Sequence, residues 1–302
     1  MSTQTIPRQP SLSQAPGARQ TVAARTRTSA RVTPLVFRVG FILLAALFAT
    51  MTVLPLLVLI KVSFSAPQDI MTARPPFLLY NATLDHWRSI LDAGTVLAPA
   101  RHSLIVATGT AIFAVLIAAP AAYVISRMPR TWRYSLILAL LFTQMFPDVG
   151  IAMPVAITFL RLGLNDTDLG LILAHLVPTL PFVAWILVGT FQMIPREIEE
   201  ASFVDGNGKI GTLARIVMPL AAPGIAVAAL FAWLKSWNDL VYAIYLFLGE
   251  RTLPLMTFYY SNRGSVFDTA TFAVLLTIPV MLVTLLLQRY VEAGTLSGAI
   301  KG

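Results

Sequence analysis

The chain has 302 residues, 57% of them hydrophobic and only 12% charged, with a mean hydropathy of +0.75, which excludes an ordinary water-soluble domain. It contains no cysteine, so a disulfide framework and a thiolate metal site are excluded as well. The formal net charge of +8 would suit a nucleic-acid binder, but the basic residues sit between apolar runs in the alternating pattern that sets orientation in a bilayer, and no nucleic-acid partner is expected.

Residues 1–33 are rich in Ser, Thr, Pro, Gln and Arg with few large apolar side chains, and predict a disordered, basic cytoplasmic tail. Apolar runs then follow at 37–62, 98–126, 134–160, 169–194, 220–248 and 269–291. Each is long enough to cross about 30 Å of hydrocarbon as a helix. The first run exceeds the roughly 7 to 15 residues of a secretory signal core, lacks a small-residue cleavage site after Lys61, and is expected to remain as an anchor. No alternating ten-residue pattern of a barrel is present, and continuous apolar runs satisfy their backbone groups only as helices. The expectation is an all-α polytopic membrane protein with six transmembrane helices.

Charge between the runs alternates. Arg127, Arg130 and Arg133 follow the second run; Arg196, Lys209 and Arg215 follow the fourth; Arg289 and Lys301 follow the sixth. The intervening loops offset Arg74, Arg88, Arg101, Arg161, Arg251 and Arg263 with Asp69, Asp85, Asp92, Asp166, Asp168, Glu250 and Asp268. Both termini are therefore expected on the cytoplasmic side.

Ionisable groups inside spans are costly and point to function. Asp148 lies in the third run, His175 in the fourth, and Lys235 and Asp239 in the fifth. Counted from Trp132 and Ala222 at about 1.5 Å per residue, Asp148 and Asp239 reach a similar depth. Lys235 and Asp239 stand at the i, i+4 spacing of a helix-surface pair, beside Trp233, Trp237 and Asn238. Two readings stay open: the pair neutralises itself and ties helices together, or these residues line a path for a substrate that needs hydroxyl-binding groups and flat apolar faces. His175 is expected to be a packed, hydrogen-bonded residue and His86 a solvated loop residue. Pro147, Pro154, Pro178 and Pro181 predict kinks in the third and fourth helices.

Between the fourth and fifth runs lies a polar island, EEASFVDGNGKIG at 199–211. It is not a phosphate loop. The position five residues before Gly208 is Phe203 rather than glycine, and Ile210 after Lys209 offers no hydroxyl to magnesium. Pro195 suits the first turn of a helix over 196–203, with Glu197, Glu199 and Glu200 at its positive end. Gly206 and Gly208 break that helix, and a second short one over 210–217 should bring Ile210, Leu213 and Ile216 or Val217 to one face.

This island resembles the cytoplasmic signature of the permease subunits of ATP-binding cassette (ABC) importers, which reads E-A-A, three residues, G, nine residues, I-x-L-P. Glu200, Ala201 and Ser202 are followed by Gly206, then by Ile216, Met218 and Pro219 in the same register; Ser202 and Met218 depart mildly from it. LDHWRSIL at 84–91, LGLNDTDLGLILAH at 162–175, SWNDLVYA at 236–243 and SGAIKG at 297–302 are similar to the carbohydrate branch of that family, the maltose-type second permease.

The resemblance implies a type I ABC importer permease fold over 34–302 in a bacterial inner membrane, with 196–218 as the coupling segment that docks into a groove of the ATPase subunit. Glu200 would pair with basic groove residues, Ala201 and Ser202 would let the backbones approach, and Asp205, Gly206, Ile216 and Pro219 would complete the elbow. It also implies that the chain is a transport subunit without catalysis and binds no cofactor itself. ATP and magnesium would sit in an ATP-binding subunit dimer, and the other partners would be a second permease subunit, membrane lipid and an extracytoplasmic solute-binding protein that delivers a sugar or sugar derivative. Asp148, Trp233, Lys235, Trp237, Asn238 and Asp239 are the candidate substrate path. An ion-coupled secondary carrier, with Asp148, Asp239, Lys235 and His175 as a relay, is the alternative, although no internal repeat relates the two halves. A membrane enzyme would need a nucleophile with its base or a metal cluster, and three scattered histidines supply neither.

Overall fold

The computed structural model describes residues 32–92, 94–247, 249 and 252–299, with side chains from 37 to 288 within those limits. The expected tail thus lies almost wholly outside the described residues, as do Glu250, Arg251 and the last three residues of the SGAIKG motif. Residues 1–55 and 56–302 form two separate units. The helix α1, Val32–Phe64, begins in the first unit, where Phe37, Phe41, Leu44 and Phe48 are exposed on its apolar surface.

The second unit continues with α2 (Pro67–Ile70), α3 (Asp85–Asp92), α4 (Leu97–Arg127) and α5 (Arg130–Phe142), the last running into a short 3-10 turn, Thr143–Met145. Then come α6 (Asp148–Arg161), α7 (Asp168–Gln192), α8 (Arg196–Val204) and α9 (Lys209–Thr212). A π turn, Leu213–Val217, leads into α10 (Met218–Leu220), α11 (Ala222–Trp237), α12 (Val241–Leu246), α13 (Leu253–Arg263) and α14 (Val266–Ala299). Among the described residues, four helices are long and apolar enough to cross a membrane by themselves, and six if each of two bent pairs is one span. The expected runs at 37–62, 98–126, 169–194 and 269–291 coincide with α1, α4, α7 and α14.

The other two runs are not single rods. The third is broken between α5 with its 3-10 turn and α6, whose axes differ by 87°. Phe146 at the break is extended, with φ −77° and ψ 131°, as a residue before proline tends to be, and Pro147 follows it. A residue count along one straight helix therefore does not measure the depth of Asp148. The fifth run ends its helix at Trp237 and resumes as α12, and α11 is itself bent by 82° from the segment 209–220 that precedes it. Pro178 and Pro181, by contrast, are carried inside one uninterrupted α7.

The centre of the unit is α4 packed against α7 and α11, with α14 beside α11. Small residues make this approach possible: Ala107, Ala111, Ala114, Ala118 and Ala122 of α4 are all buried, the small-residue stripe by which helices come close when hydrophobicity gives them no reason to associate in lipid. Close contact also explains two glycines. A Cβ on Gly170 would lie 2.1 Å from the Leu164 carbonyl oxygen, and one on Gly224 would lie 2.3 Å from both Cγ2 and Oγ1 of Thr190. The LGLNDTDLG stretch is thereby a built corner. Thr167 Oγ1 accepts from the Gly170 N–H at 3.0 Å to cap α7, and donates to the Leu164 carbonyl at 2.6 Å. His86 is not the solvated loop residue expected from sequence: it stacks on Phe267 at 4.8 Å and lies 3.8 Å from Asp268, at the contact of α3 with α14.

Candidate functional site

Two sites emerge, one at an end of the bundle and one within it. At the end, Pro195 precedes α8, and the acids of its first turns separate into two kinds. Glu199 is buried, whereas Glu197 and Glu200 are exposed. The Glu199 carboxylate accepts from the Arg127 guanidinium on one oxygen and from Tyr123 Oη at 2.8 Å on the other. Arg127 also donates to the Ile194 carbonyl at 3.2 Å, and Arg196 returns a bond to the Arg127 carbonyl at 3.0 Å. The start of α8 is thus fastened to the last turn of α4. Sequence reasoning missed this tie, since it counted Arg127 only as a topology charge and Glu199 only as a helix-end acid; 72 residues separate them, and no local spacing signals the pair.

The elbow that follows is held from inside. Ser202 Oγ and Thr212 Oγ1 lie 3.0 Å apart, both buried, and join the two arms, while the Asn207 N–H donates to the Ser202 carbonyl at 3.1 Å. Gly206 has φ +87°, and a Cβ there would meet nothing within 4 Å. Glycine is needed there for the backbone conformation and not to clear an obstruction. Ser202 likewise faces its own partner arm and not outward. Leu213, Ile216 and Val217 turn toward the bundle to different degrees, with Val217 fully buried, but Ile210 is 84% exposed and leaves the face assigned to it. Glu200, Ala201, Val204, Asp205, Ile210 and Pro219 form the open side of the segment.

Within the bundle, a cavity of about 660 Å³ lies among the α5–α6 break, α7, α11 and the start of α12, with Gln144, Asp148, Phe182, Phe231, Lys235 and Asn238 in its wall. Gln144 Nε2 donates to the Pro178 carbonyl at 3.0 Å and ties the break to α7. Lys235 Nζ donates to Asp148 Oδ2 at 2.9 Å, and both side chains stay partly exposed, at 45% and 32%. The i, i+4 pair of Lys235 with Asp239 does not form. The helix stops at Trp237, so Asp239 leaves the helical register and turns to α7 and α12.

There Asp239 Oδ2 lies 3.0 Å from His175 Nε2 and accepts from the N–H groups of Tyr242 at 3.0 Å and Ala243 at 3.4 Å. His175 Nδ1 lies 2.7 Å from Ser236 Oγ, which is 3.3 Å from Thr110 Oγ1. His175 is packed and hydrogen-bonded as expected, with a carboxylate that sequence did not assign to it. Asp239 touches the cavity wall, yet its acceptor oxygen is already used in starting α12 and joining α4, α7 and α11. The two indoles are not open faces either. Trp233 and Trp237 stack at 4.8 Å and are buried; Trp237 Nε1 donates to the Leu276 carbonyl at 3.2 Å and Trp233 Nε1 reaches Thr108 Oγ1 at 3.4 Å. Of the six path candidates, the structure brings Asp148, Lys235 and Asn238 together on the cavity, keeps Asp239 at its edge and places both tryptophans in the core. Among the described residues, no three His, Asp or Glu side chains gather to hold a metal ion.

Residues 111–297 match the family described as the binding-protein-dependent transport system inner membrane component. The chain is 30% identical over 273 residues to the trehalose/maltose transport system permease protein MalG of Thermococcus litoralis, spanning 88% of this chain and 97% of that one. It is 29% identical to the inner membrane ABC transporter permease protein YcjP of Escherichia coli, over 88% and 97%, and 31% identical to the trehalose transport system permease protein SugB of Mycobacterium tuberculosis, over 73% and 82%. Among solved structures, a bacterial ABC transporter involved in the import of the acidic polysaccharide alginate superposes with a TM-score of 0.69 at 20% identity, over 86% of this chain and 98% of that one, a likeness of fold.

Proposed function

The chain belongs to the family of binding-protein-dependent transport system inner membrane components, and from that premise we propose that it is one of two permease subunits forming the path of an ATP-driven sugar importer. The observation that carries the coupling half of this reading is the built elbow at 196–219. Its inner side is locked by Glu199, Arg127, Ser202 and Thr212, and its outer side presents Glu200, Ala201, Val204, Asp205 and Ile210. A segment fastened on one side and presenting apolar and charged groups on the other is suited to receive force from a partner and pass it to the membrane helices. The partner is an ATP-binding subunit dimer that holds ATP and magnesium; this chain supplies no catalytic group. The elbow and both termini then face the cytoplasm, and a solute-binding protein meets the opposite end.

The substrate class rests on the relatives, whose names speak of trehalose and maltose, and on the cavity. Its Lys235–Asp148 pair, Gln144 and Asn238 can exchange hydrogen bonds with hydroxyls, and Phe182 and Phe231 offer apolar surface to a sugar ring. The ion-coupled carrier reading is set aside by the family, and the half of the relay formed by His175 and Asp239 is committed to helix packing. Glu200→Lys tests the proposal: it reverses charge on the open side without touching a span, so insertion should be normal while uptake and substrate-stimulated ATP hydrolysis by the assembled transporter are lost. Wild-type stimulation in that variant would sink the coupling role.

A further inference from the structure

Where the last turn of α4 meets the end of α7, a second cavity of about 410 Å³ opens among Ser126, Arg127, Arg133, Gln192, Arg196 and Glu197. Three guanidinium groups converge there. Glu199 is already engaged by Arg127 and Tyr123, which leaves Glu197 as the carboxylate in the wall. Some of the arginine donors are used: Arg133 Nη1 lies 3.4 Å from the Ser126 carbonyl and Arg196 Nη2 lies 3.0 Å from the Arg127 carbonyl. The Nε–H groups of Arg127 and Arg133, however, are both buried without an acceptor. Three guanidinium charges in the wall face one carboxylate, Glu197, and an anion with several oxygens balances them by accepting charge-assisted bonds from terminal N–H groups.

The surroundings select the kind of anion. Helix α5 starts at this cavity behind Pro129 with no side chain capping its first turn, so the positive end of a 13-residue helix adds to the field. Trp132 and Tyr134 are exposed beside it, and the guanidinium groups of Arg130 and Arg133 lie 5.5 and 5.7 Å from the Tyr134 ring centre. Exposed Trp and Tyr among arginines at the end of apolar helices mark the membrane–water boundary. One turn beyond Arg133 on the same flank, the exposed Leu136 continues the surface toward the hydrocarbon.

We infer that this cavity binds the phosphodiester headgroup of an anionic membrane lipid, with Arg127 and Arg133 donating to phosphate oxygens, Arg196 closing the mouth, and the acyl chains lying along α5. Basic pockets between helices at the membrane surface are the usual place for such headgroups. An acidic loop of a soluble partner would satisfy the guanidinium groups but leave the apolar flank of α5 uncovered; a lipid meets both. The inference rests on the membrane placement of α4, α5 and α7 and is independent of the substrate.

The test uses the purified, assembled transporter in nanodiscs of phosphatidylcholine with and without phosphatidylglycerol, and follows lipid retention by native mass spectrometry. Wild type should retain phosphatidylglycerol over phosphatidylcholine, with the preference falling as salt rises. Arg133→Gln should lose about tenfold of it, as the removal of charge-assisted bonds implies, and Arg161→Gln at the far end of α6 should not. In delipidated detergent, short-chain phosphatidylglycerol should raise the melting temperature of wild type where inorganic phosphate at the same concentration does not. If Arg133→Gln fails to assemble, Gln192→Glu, which places a carboxylate in the cavity wall, should lower the preference instead. Equal retention of the two lipids by wild type, an unchanged preference in the assembled arginine variant, or stabilisation by phosphate alone would each overturn the inference. So would loss of the ATP-binding subunit from Arg133→Gln with lipid preference intact, which would give the site to a protein contact.

Discussion

Removing the Glu199 carboxylate should separate ATP hydrolysis from transport, and its cost can be worked from the contacts. Side-chain exposure is 7% for Glu199 and 17% for Arg127, so the pair is largely out of water and solvent screens it little. Glu199→Ala leaves the Arg127 guanidinium without a counter-charge and the Tyr123 hydroxyl without its acceptor. Halving a buried ion pair costs about 3 to 5 kcal/mol. The lower end applies here, because Arg127 keeps the Ile194 carbonyl. Glu199→Gln retains an oxygen for Tyr123 and forfeits the charge, for about 1 to 2 kcal/mol. The expected order of melting temperature for the purified complex is wild type, then Gln, then Ala, with exposed Glu197→Ala as the control close to wild type. Because α8 is fastened to α4 through this carboxylate, both Glu199 variants should hydrolyse more ATP per substrate moved. Refutation is simple: Glu199→Ala matching Glu197→Ala in melting temperature and in ATP consumed per substrate would show that the tie carries neither stability nor force.

Gly206→Ala meets no obstruction, so its cost should be the left-handed backbone alone, about 1 to 2 kcal/mol; Gly206→Asn, which tolerates that conformation, should lose less in the same melting measurement. Gly224→Ala drives a methyl into Thr190 at 2.3 Å and should cost about 1 to 3 kcal/mol by overpacking α7 against α11, with partial recovery when Thr190→Ala is added; no recovery would place the strain elsewhere. The Lys235→Met/Asp148→Asn double variant should assemble and melt near wild type, since the pair is part-exposed, while its uptake shifts in KM or kcat. Unchanged uptake in radiolabelled-sugar assays would leave that pair outside the path.

Four spans were legible from the length of their apolar runs alone, because nothing but a helix satisfies so much apolar backbone. The two bent regions were not, for different reasons. Pro147 signals a kink, but the 87° turn also needs Gln144 anchored on α7. The end of α11 depends on Asp239 accepting the Tyr242 and Ala243 N–H groups, a local capture that competes with helix continuation. Once the helix stops, the i, i+4 rule no longer applies to Lys235 and Asp239. It does hold for Trp233 and Trp237, which stack as the spacing allows. What the spacing could not convey is that α4 and α14 cover them. The elbow was legible in register because glycine and proline fix backbone positions locally, whereas its fastening to α4 is tertiary.

The two carboxylate contacts beside the larger cavity differ in what they can do. His175–Asp239 is enclosed by Ser236, Thr110 and the first turn of α12, so opening it would unmake three helix contacts at once. Lys235–Asp148 is part-exposed on the 660 Å³ cavity, joining α11 to the far side of a right-angle break, and can open for the cost of one screened pair. A displacement of the elbow enters α4 through Arg127, spreads to α7 and α11 through the small-residue interface, and reaches α6 across Lys235–Asp148, the α6–α12 contact and the direct packing of α6 on α7. Under the proposed coupling, Lys235–Asp148 is therefore one joint at which the cavity can change shape, while the His175–Asp239 contact holds α7, α11 and α12 together. On the same proposal, a sugar hydroxyl that competes for Lys235 or Asp148 would loosen that joint, giving bound substrate a physical route to influence a partner ATPase docked at the elbow.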